Sequence, residues 1–260
     1  MLKDVQGQYD DRNITLDEIG ICDYKLPFVF VTTTNSYNTV GTIRSTVKLC
    51  KNQKGAHLSR IIETLNKKIY CNNLNFSDFE DTLSCILKSS EVNSGNLGVE
   101  FDIIISDITP VSHKKSFSDI HIKIYNKKSE QTTDRFLEIS LVGTTLCPCS
   151  KEISLYGAHN QRCKLIITIV NYPNNIELED VINLIQSCFS AKVYGTVKRV
   201  DEKYLTENAY NNPKFSEDLI RDVLLKLEEK YKVKIVAELK NYESIHPFNV
   251  CSKGELEYNV

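Results

Sequence analysis

The chain reads as an α+β protein built from two similar halves, and three observations lead there. Apolar runs of strand length recur along its 260 residues, and short polar turns join some of them into pairs. Between the pairs lie segments with apolar residues at helical spacing. Strand pairs bracket helix pairs twice over, although no sequence self-similarity accompanies the repetition.

In order, the first dozen residues are polar and expected to fray. Residues 27–34 form a β-rich run, and 39–50 alternate apolar and polar positions through Val40, Ile43, Val47 and Leu49. With Asn35-Ser36-Tyr37-Asn38 between them, the two form an antiparallel hairpin. Residues 56–70 set Leu58, Ile61, Ile62, Leu65 and Ile69 at helical spacing. A second helix follows Ser77 as its N-cap, with Phe79, Leu83, Ile86 and Leu87 on one face. Strands are expected over 98–108, 116–125 and 136–146, punctuated by Pro110 and Lys127-Lys128-Ser129-Glu130. A polar loop leads to a strand over 163–170. A helix over 177–189 turns Val181, Leu184, Ile185 and Cys188 inward, and 192–200 is a strand. A long helix over 216–231 carries the stripe Leu219, Val223, Leu224 and Leu227, and 232–239 close the chain as a last strand.

Composition narrows the function classes. Hydrophobic content of 41% with 25% charged residues is that of a globular protein with ample core. A formal charge of -2 supplies no basic field for nucleic acid, so a polyanionic ligand must be met by a local cluster. The start has no apolar core of signal-peptide length, and the longest apolar runs are too short to span a bilayer. Nine cysteines, an odd number without framework spacing, point to reduced thiols in a cytoplasmic compartment.

Chemistry concentrates after the 136–146 strand, in Cys147-Pro148-Cys149-Ser150-Lys151-Glu152-Ile153-Ser154 and then Tyr156-Gly157-Ala158-His159-Asn160-Gln161-Arg162. Thiolate, imidazole and carboxylate are a natural shell for a divalent cation. Taken alone, the Cys-x-Cys pair is equally two small, half-buried residues, and a disulfide within it is strained. A catalytic zinc asks for three protein ligands, so one more donor must come from elsewhere. Asp201-Glu202-Lys203-Tyr204 with Thr206-Glu207 is one source, though such carboxylates also suit a solvated helix face. Glu217 and Asp218 suit the first turn of a helix by its dipole, and a lone His246 suits a surface.

These segments resemble the signature of the type IB GTP cyclohydrolases. The likeness continues through Asp201-Glu202-Lys203-Tyr204, Asn212-Pro213-Lys214-Phe215 and Glu243-Ser244-Ile245-His246. Lys54-Gly55-Ala56-His57-Leu58-Ser59-Arg60 resembles an early segment of that family, with Leu58 in place of Met. After His246 the family usually continues Asn-His-Asp, whereas this chain has Pro247-Phe248-Asn249.

The resemblance implies a tandem tunnelling fold (T-fold) of antiparallel sheets with helix pairs on one face, assembled as a homo-oligomeric barrel, a homotetramer. Residues 1–22 would be a partly disordered extension, 23–146 the first half, and 147–260 the second, carrying most of the active site. It implies conversion of GTP to 7,8-dihydroneopterin triphosphate with release of formate, the entry to folate-type pterins. Cys147, His159 and Glu202 would hold a divalent ion, Zn²⁺, Mn²⁺ or Fe²⁺, with no organic cofactor. His246, held by Glu243, would be the acid/base, and Glu217 would anchor guanine through two parallel hydrogen bonds. Cys149 would lie behind the ligands, replace one of them, or contact C8 of the base. Lys54, His57, Ser59, Arg60, Lys151, Arg162, Lys198 and Arg199 are candidates for the triphosphate. Two alternatives stand beside this reading. A nitrile reductase of the queuosine branch would need a lone nucleophilic Cys with a nearby Asp and a Glu-Ser-Leu-Lys cofactor motif, which are lacking. A non-catalytic, metal-stabilised interaction module would need four thiolate or imidazole ligands.

Overall fold

The computed structural model describes residues 4–258. The elements follow in the order β1 (Leu16–Val31), β2 (Ser36–Leu49), α1 (Leu58–Lys68), β3 (Asn73–Leu74), α2 (Phe76–Ser90), β4 (Gly95–Ile108), β5 (Lys115–Lys128), β6 (Thr133–Leu146), α3 (Pro148–Ile153) and β7 (Asn160–Val170). The remainder are α4 (Leu178–Gln186), β8 (Ala191–Lys192), α5 (Arg199–Asn211), α6 (Ser216–Tyr231), β9 (Ile235–Asn241) and β10 (Val250–Leu256). A ββααββ order thus occurs first as β1, β2, α1, α2, β4, β5 and again as β6, β7, α4, α6, β9, β10. The chain forms two compact units. One runs to Asp102 and takes in Lys123–Phe136, and the other comprises Ile103–Ile122 and everything from Leu137 onward.

In the first unit β1 and β2 form the expected hairpin, in antiparallel register from Leu16↔Leu49 to Val31↔Ser36. β1 begins at Leu16, ahead of the expected start, because backbone pairing with β2 carries a stretch whose own apolar signal is weak. Of the expected frayed start, residues 1–3 lie outside the described residues. Gln6 to Asp10 are tied instead to the chain before α1, through Gly55 N to Gln6 O at 3.2 Å, Lys54 N to Gln8 O at 3.1 Å and Asp10 N to Asn52 O at 3.1 Å. The core is aromatic. Phe28 and Phe101 meet edge to face at 5.2 Å, Phe28 and Phe79 at 5.9 Å. Each such buried ring contributes about 1.5–3 kcal/mol by leaving water. Ile61 and Leu65 of α1 and Leu83 and Ile86 of α2 are fully buried. The N-cap of α2 is Asn75, not Ser77. The Asn75 side chain accepts from Ser77 N and Asp78 N, and Asp78 returns a bond to Asn75 N at 2.8 Å. α2 ends on Glu91 in the left-handed region at φ 60°.

In the second unit the strands run in the order β10-β9-β7-β6-β5, with β8 paired to β6. β7 and β9 are antiparallel from Cys163↔Asn241 to Ile169↔Ile235. α6 occupies the full range its stripe predicts, burying Leu219, Val223, Leu224 and Leu227. It packs on β9 and β10, where Gly254 leaves room for Ile220 and Leu224. β10 was not foreseen, because its outward-facing polar residues mask the strand period. The expected strand over 192–200 is a correction: only Ala191–Lys192 pair with β6, and α5 starts at Arg199. The buried Asp201 decides this. Its carboxylate accepts from Lys198 N at 2.9 Å, Val111 N at 3.1 Å, Ser112 N at 2.9 Å and the Ser112 hydroxyl. A helix N-terminus capped this way cannot continue a strand. Gly143 on β6 seats the Phe189 ring, since a Cβ there would meet that ring at 2.2 Å.

Candidate active site

The site grows from the end of β6. Leu146 runs into Cys147, which is extended and caps α3, with Pro148 at the first helical position where its missing N–H costs nothing. Cys147 Sγ accepts from Ser150 N at 3.4 Å. Cys147 N donates to His159 O at 3.1 Å, and the Ser150 hydroxyl accepts from His159 N at 3.1 Å. Two side chains twelve positions apart are thereby held together at the backbone. Beneath them Leu146, Ala191 and Ala209 form a small apolar cluster, joined by Ala158 and Leu205. α5 is tethered there by Asn212 Nδ2 to Phe189 O at 2.9 Å and Asn208 Nδ2 to Ser190 O at 3.2 Å.

The His159 ring is oriented from the sheet. Its Nδ1 lies 2.9 Å from Gln161 Oε1 and 3.4 Å from Ser244 Oγ. A cavity of about 870 Å³ opens here, lined by Ser150, Tyr156, His159, Glu207, Tyr210 and Ile245 among others. That is within the usual range for a small-molecule pocket.

The expected residues are placed as follows. Cys147 is half-buried and Cys149 exposed, each unpaired. Glu202 is exposed in the first turn of α5, while Glu207, also on α5, shares the cavity with His159. Among the described residues no three His, Cys, Asp or Glu side chains are gathered closely enough to hold a metal ion. The donor chemistry of Cys147 and His159 fits a divalent cation; the third donor is not drawn in beside them. Glu217 is exposed in the first turn of α6. Its own backbone N–H, followed by the Ser216 hydroxyl at 2.9 Å, holds its carboxyl below the usual range, so it is ionised at neutral pH. Among the described residues Glu243 makes no hydrogen bond to His246, which instead stacks on Phe248 at 4.9 Å and 8° between planes. Lys151 Nζ donates to Tyr210 O at 2.6 Å and lies over the Tyr210 ring. Arg162, Lys198 and Arg199 are exposed.

The first unit holds the early segment. His57 precedes α1 as its cap residue, Ser59 is exposed, and Lys54 Nζ reaches Gln8 Oε1 at 3.4 Å. Arg60 Nη1 donates to Ser89 O at 3.1 Å and pairs with Glu91 at 3.4 Å.

A family model described as "Type I GTP cyclohydrolase folE2" matches residues 2–252. The chain belongs to this family. It is 37% identical over 251 residues to GTP cyclohydrolase FolE2 of Fervidobacterium nodosum, covering 96% of this chain and 95% of that one. Identity to the FolE2 protein of Citrifermentans bemidjiense is 38% over 250 residues, covering 94% and 91%. Among solved structures, uricase from Arthrobacter globiformis superposes with a TM-score of 0.51 at 10% identity, covering 98% of this chain and 96% of that one. A highly active mutant of Bacillus sp. TB-90 urate oxidase gives 0.51 at 11%, covering 93% and 100%. At such identities these two report the fold alone: this FolE2 family member has the α+β tunnelling fold with its large antiparallel sheet. No helix among the described residues is long and apolar enough to cross a membrane.

Proposed function

We propose that this FolE2 family member is a hydrolase that opens the imidazole ring of the guanine of GTP. The products are 7,8-dihydroneopterin triphosphate and formate, and the step begins tetrahydrofolate and pterin synthesis. The observation that carries the reading is the Cys147–His159 pair, joined at the backbone beside a cavity of nucleotide scale. Cys147, His159 and Glu202 are the proposed ligands of Zn²⁺, Mn²⁺ or Fe²⁺. When bound, such an ion supplies Lewis acidity toward the water consumed in hydrolysis.

Glu217, ionised, accepts from N1–H and the exocyclic amine of guanine. Adenine lacks that donor pair and would leave the carboxylate without its matching donors, which favours guanine. His246, with Glu243, moves protons during ring opening and reclosure, the general acid/base role to which an imidazole is suited. In this reading Cys149 belongs to the same catalytic group. His57, Ser59, Arg60 and Lys151 hold the triphosphate, with Lys54, Arg162, Lys198 and Arg199 as further cations. Lys151 exchanges the Tyr210 carbonyl for a phosphate oxygen on binding. The active form is a homotetramer in the reduced cytoplasm, each chain a tandem of halves that meet near 146–147.

The test incubates purified protein with GTP and Mn²⁺ or Zn²⁺, oxidises the mixture and reads pterin fluorescence together with released formate. Silence with every divalent ion overturns the reading.

A further inference from the structure

The apolar faces of β6, β7 and β9 each end on a polar residue. On β7 the core-facing series is Ile169, Ile167, Leu165, Cys163 and then Gln161; on β9 it is Ile235, Ala237, Leu239 and then Asn241; on β6 it closes on Thr145. All three polar residues are buried, Thr145 at 0%, Asn241 at 3% and Gln161 at 8% exposure. A buried polar side chain left unpaired costs about 1–3 kcal/mol, so three together on one apolar surface do not serve stability better than leucines would. They are joined in one direction. The Thr145 hydroxyl donates to Asn241 Oδ1 at 3.2 Å, and its oxygen accepts from Gln161 Nε2 at 3.0 Å. Gln161 therefore turns its carbonyl oxygen, not its NH₂, to His159 Nδ1 at 2.9 Å. An acceptor there requires the proton on Nδ1, which leaves the lone pair on Nε2.

We infer that the Asn241–Thr145–Gln161 chain is a positioning device that selects the Nδ1–H tautomer of His159 and aims Nε2 outward as the donor to the cation. This rests on the reading of His159 as a metal ligand. Gln161 touches neither substrate nor metal; it acts through the ring. An amide oxygen behind the imidazole orients the ring without adding charge to the shell, as a carboxylate would.

The experiment measures Zn²⁺ affinity by chelator competition, beside thermal melting of the metal-free protein and ¹⁵N–¹H spectra of the imidazoles. Gln161→Leu should bind Zn²⁺ about 10–100-fold more weakly, and in the metal-free protein the His159 signal should lose its single Nδ1–H form. Thr145→Val should weaken binding and Thr145→Ser restore it, because only the hydroxyl is needed. A folded Gln161→Leu protein that binds Zn²⁺ as tightly as the parent, or a parent spectrum with the proton on Nε2, overturns the inference and leaves the cyclohydrolase reading intact. A parent protein that takes up no Zn²⁺, Mn²⁺ or Fe²⁺ overturns both.

Discussion

Glu217 is held ionised by its own backbone amide and by Ser216, so in the proposed anchoring role its carboxylate would accept two bonds from guanine without first losing a proton. Hydrogen bonds to a charged partner contribute about 1.5–3 kcal/mol each. Glu217→Ala should therefore raise the Kd for GTP about a hundredfold or more while leaving bound metal at parent stoichiometry; calorimetry and elemental analysis read the two separately. Normal GTP affinity in that variant would remove Glu217 from the site. A second comparison decides which carboxylate would join Cys147 and His159 at the proposed cation site. Glu202 lies in a segment that resembles the family signature, yet Glu207 shares the cavity with His159. Glu202→Gln should lose its metal and Glu207→Gln should keep it, and the reverse result would transfer the role.

At the scale of elements, α5 is the part that needs explaining. Its residues Arg199 to Asn211 are mostly polar, and only Asp201 and Ala209 are buried. No apolar stripe announces it, which is why the stretch before Asp201 reads as a strand. α6, by contrast, is legible to both ends because Leu219, Val223, Leu224 and Leu227 repeat at helical spacing over a buried face. The hairpin of β1 and β2 is legible for the same reason in the other period. For the site, the sequence motifs mark Cys147 and His159, which the fold joins at the backbone. They do not reveal Gln161, Thr145 and Asn241, although a polar residue ending an otherwise apolar strand face was the available signal. α5 depends on one acid. Burial alone would raise the pKa of Asp201, but donors from Ser112, Lys198 and Val111 outweigh it and hold the carboxyl well below the usual range. With the folded value depressed, this contribution is complete above about pH 5 and is lost as pH falls below the unfolded value of about 3.9. Asp201→Asn should melt several degrees below the parent at pH 7, and the gap should begin to narrow below about pH 4, persist in part at pH 3, and close only as pH falls through the depressed folded value.

For the molecule as a whole, all nine cysteines are unpaired. Cys22, Cys50, Cys71, Cys149 and Cys251 are exposed, whereas Cys163 and Cys188 are buried. Burial pushes the Cys163 thiol up to about 12 and raises Cys188 as well, so both stay protonated and unreactive. A thiol reagent on the metal-free native protein should label the exposed five fast and Cys163 and Cys188 only on unfolding; fast labelling of Cys163 would contradict the packing of β7. The seat that Gly143 gives Phe189 has a mechanical consequence. The carbonyls of Phe189 and Ser190 are the anchor points of α5 through Asn212 and Asn208. A single methyl at position 143 has nowhere to go but into that ring, and the push is handed on, strand to turn to helix, until it displaces Glu207 at the rim of the cavity. Gly143→Ala should therefore leave the circular dichroism spectrum unchanged and cut turnover at least tenfold: a lever whose fulcrum is the absence of one carbon atom.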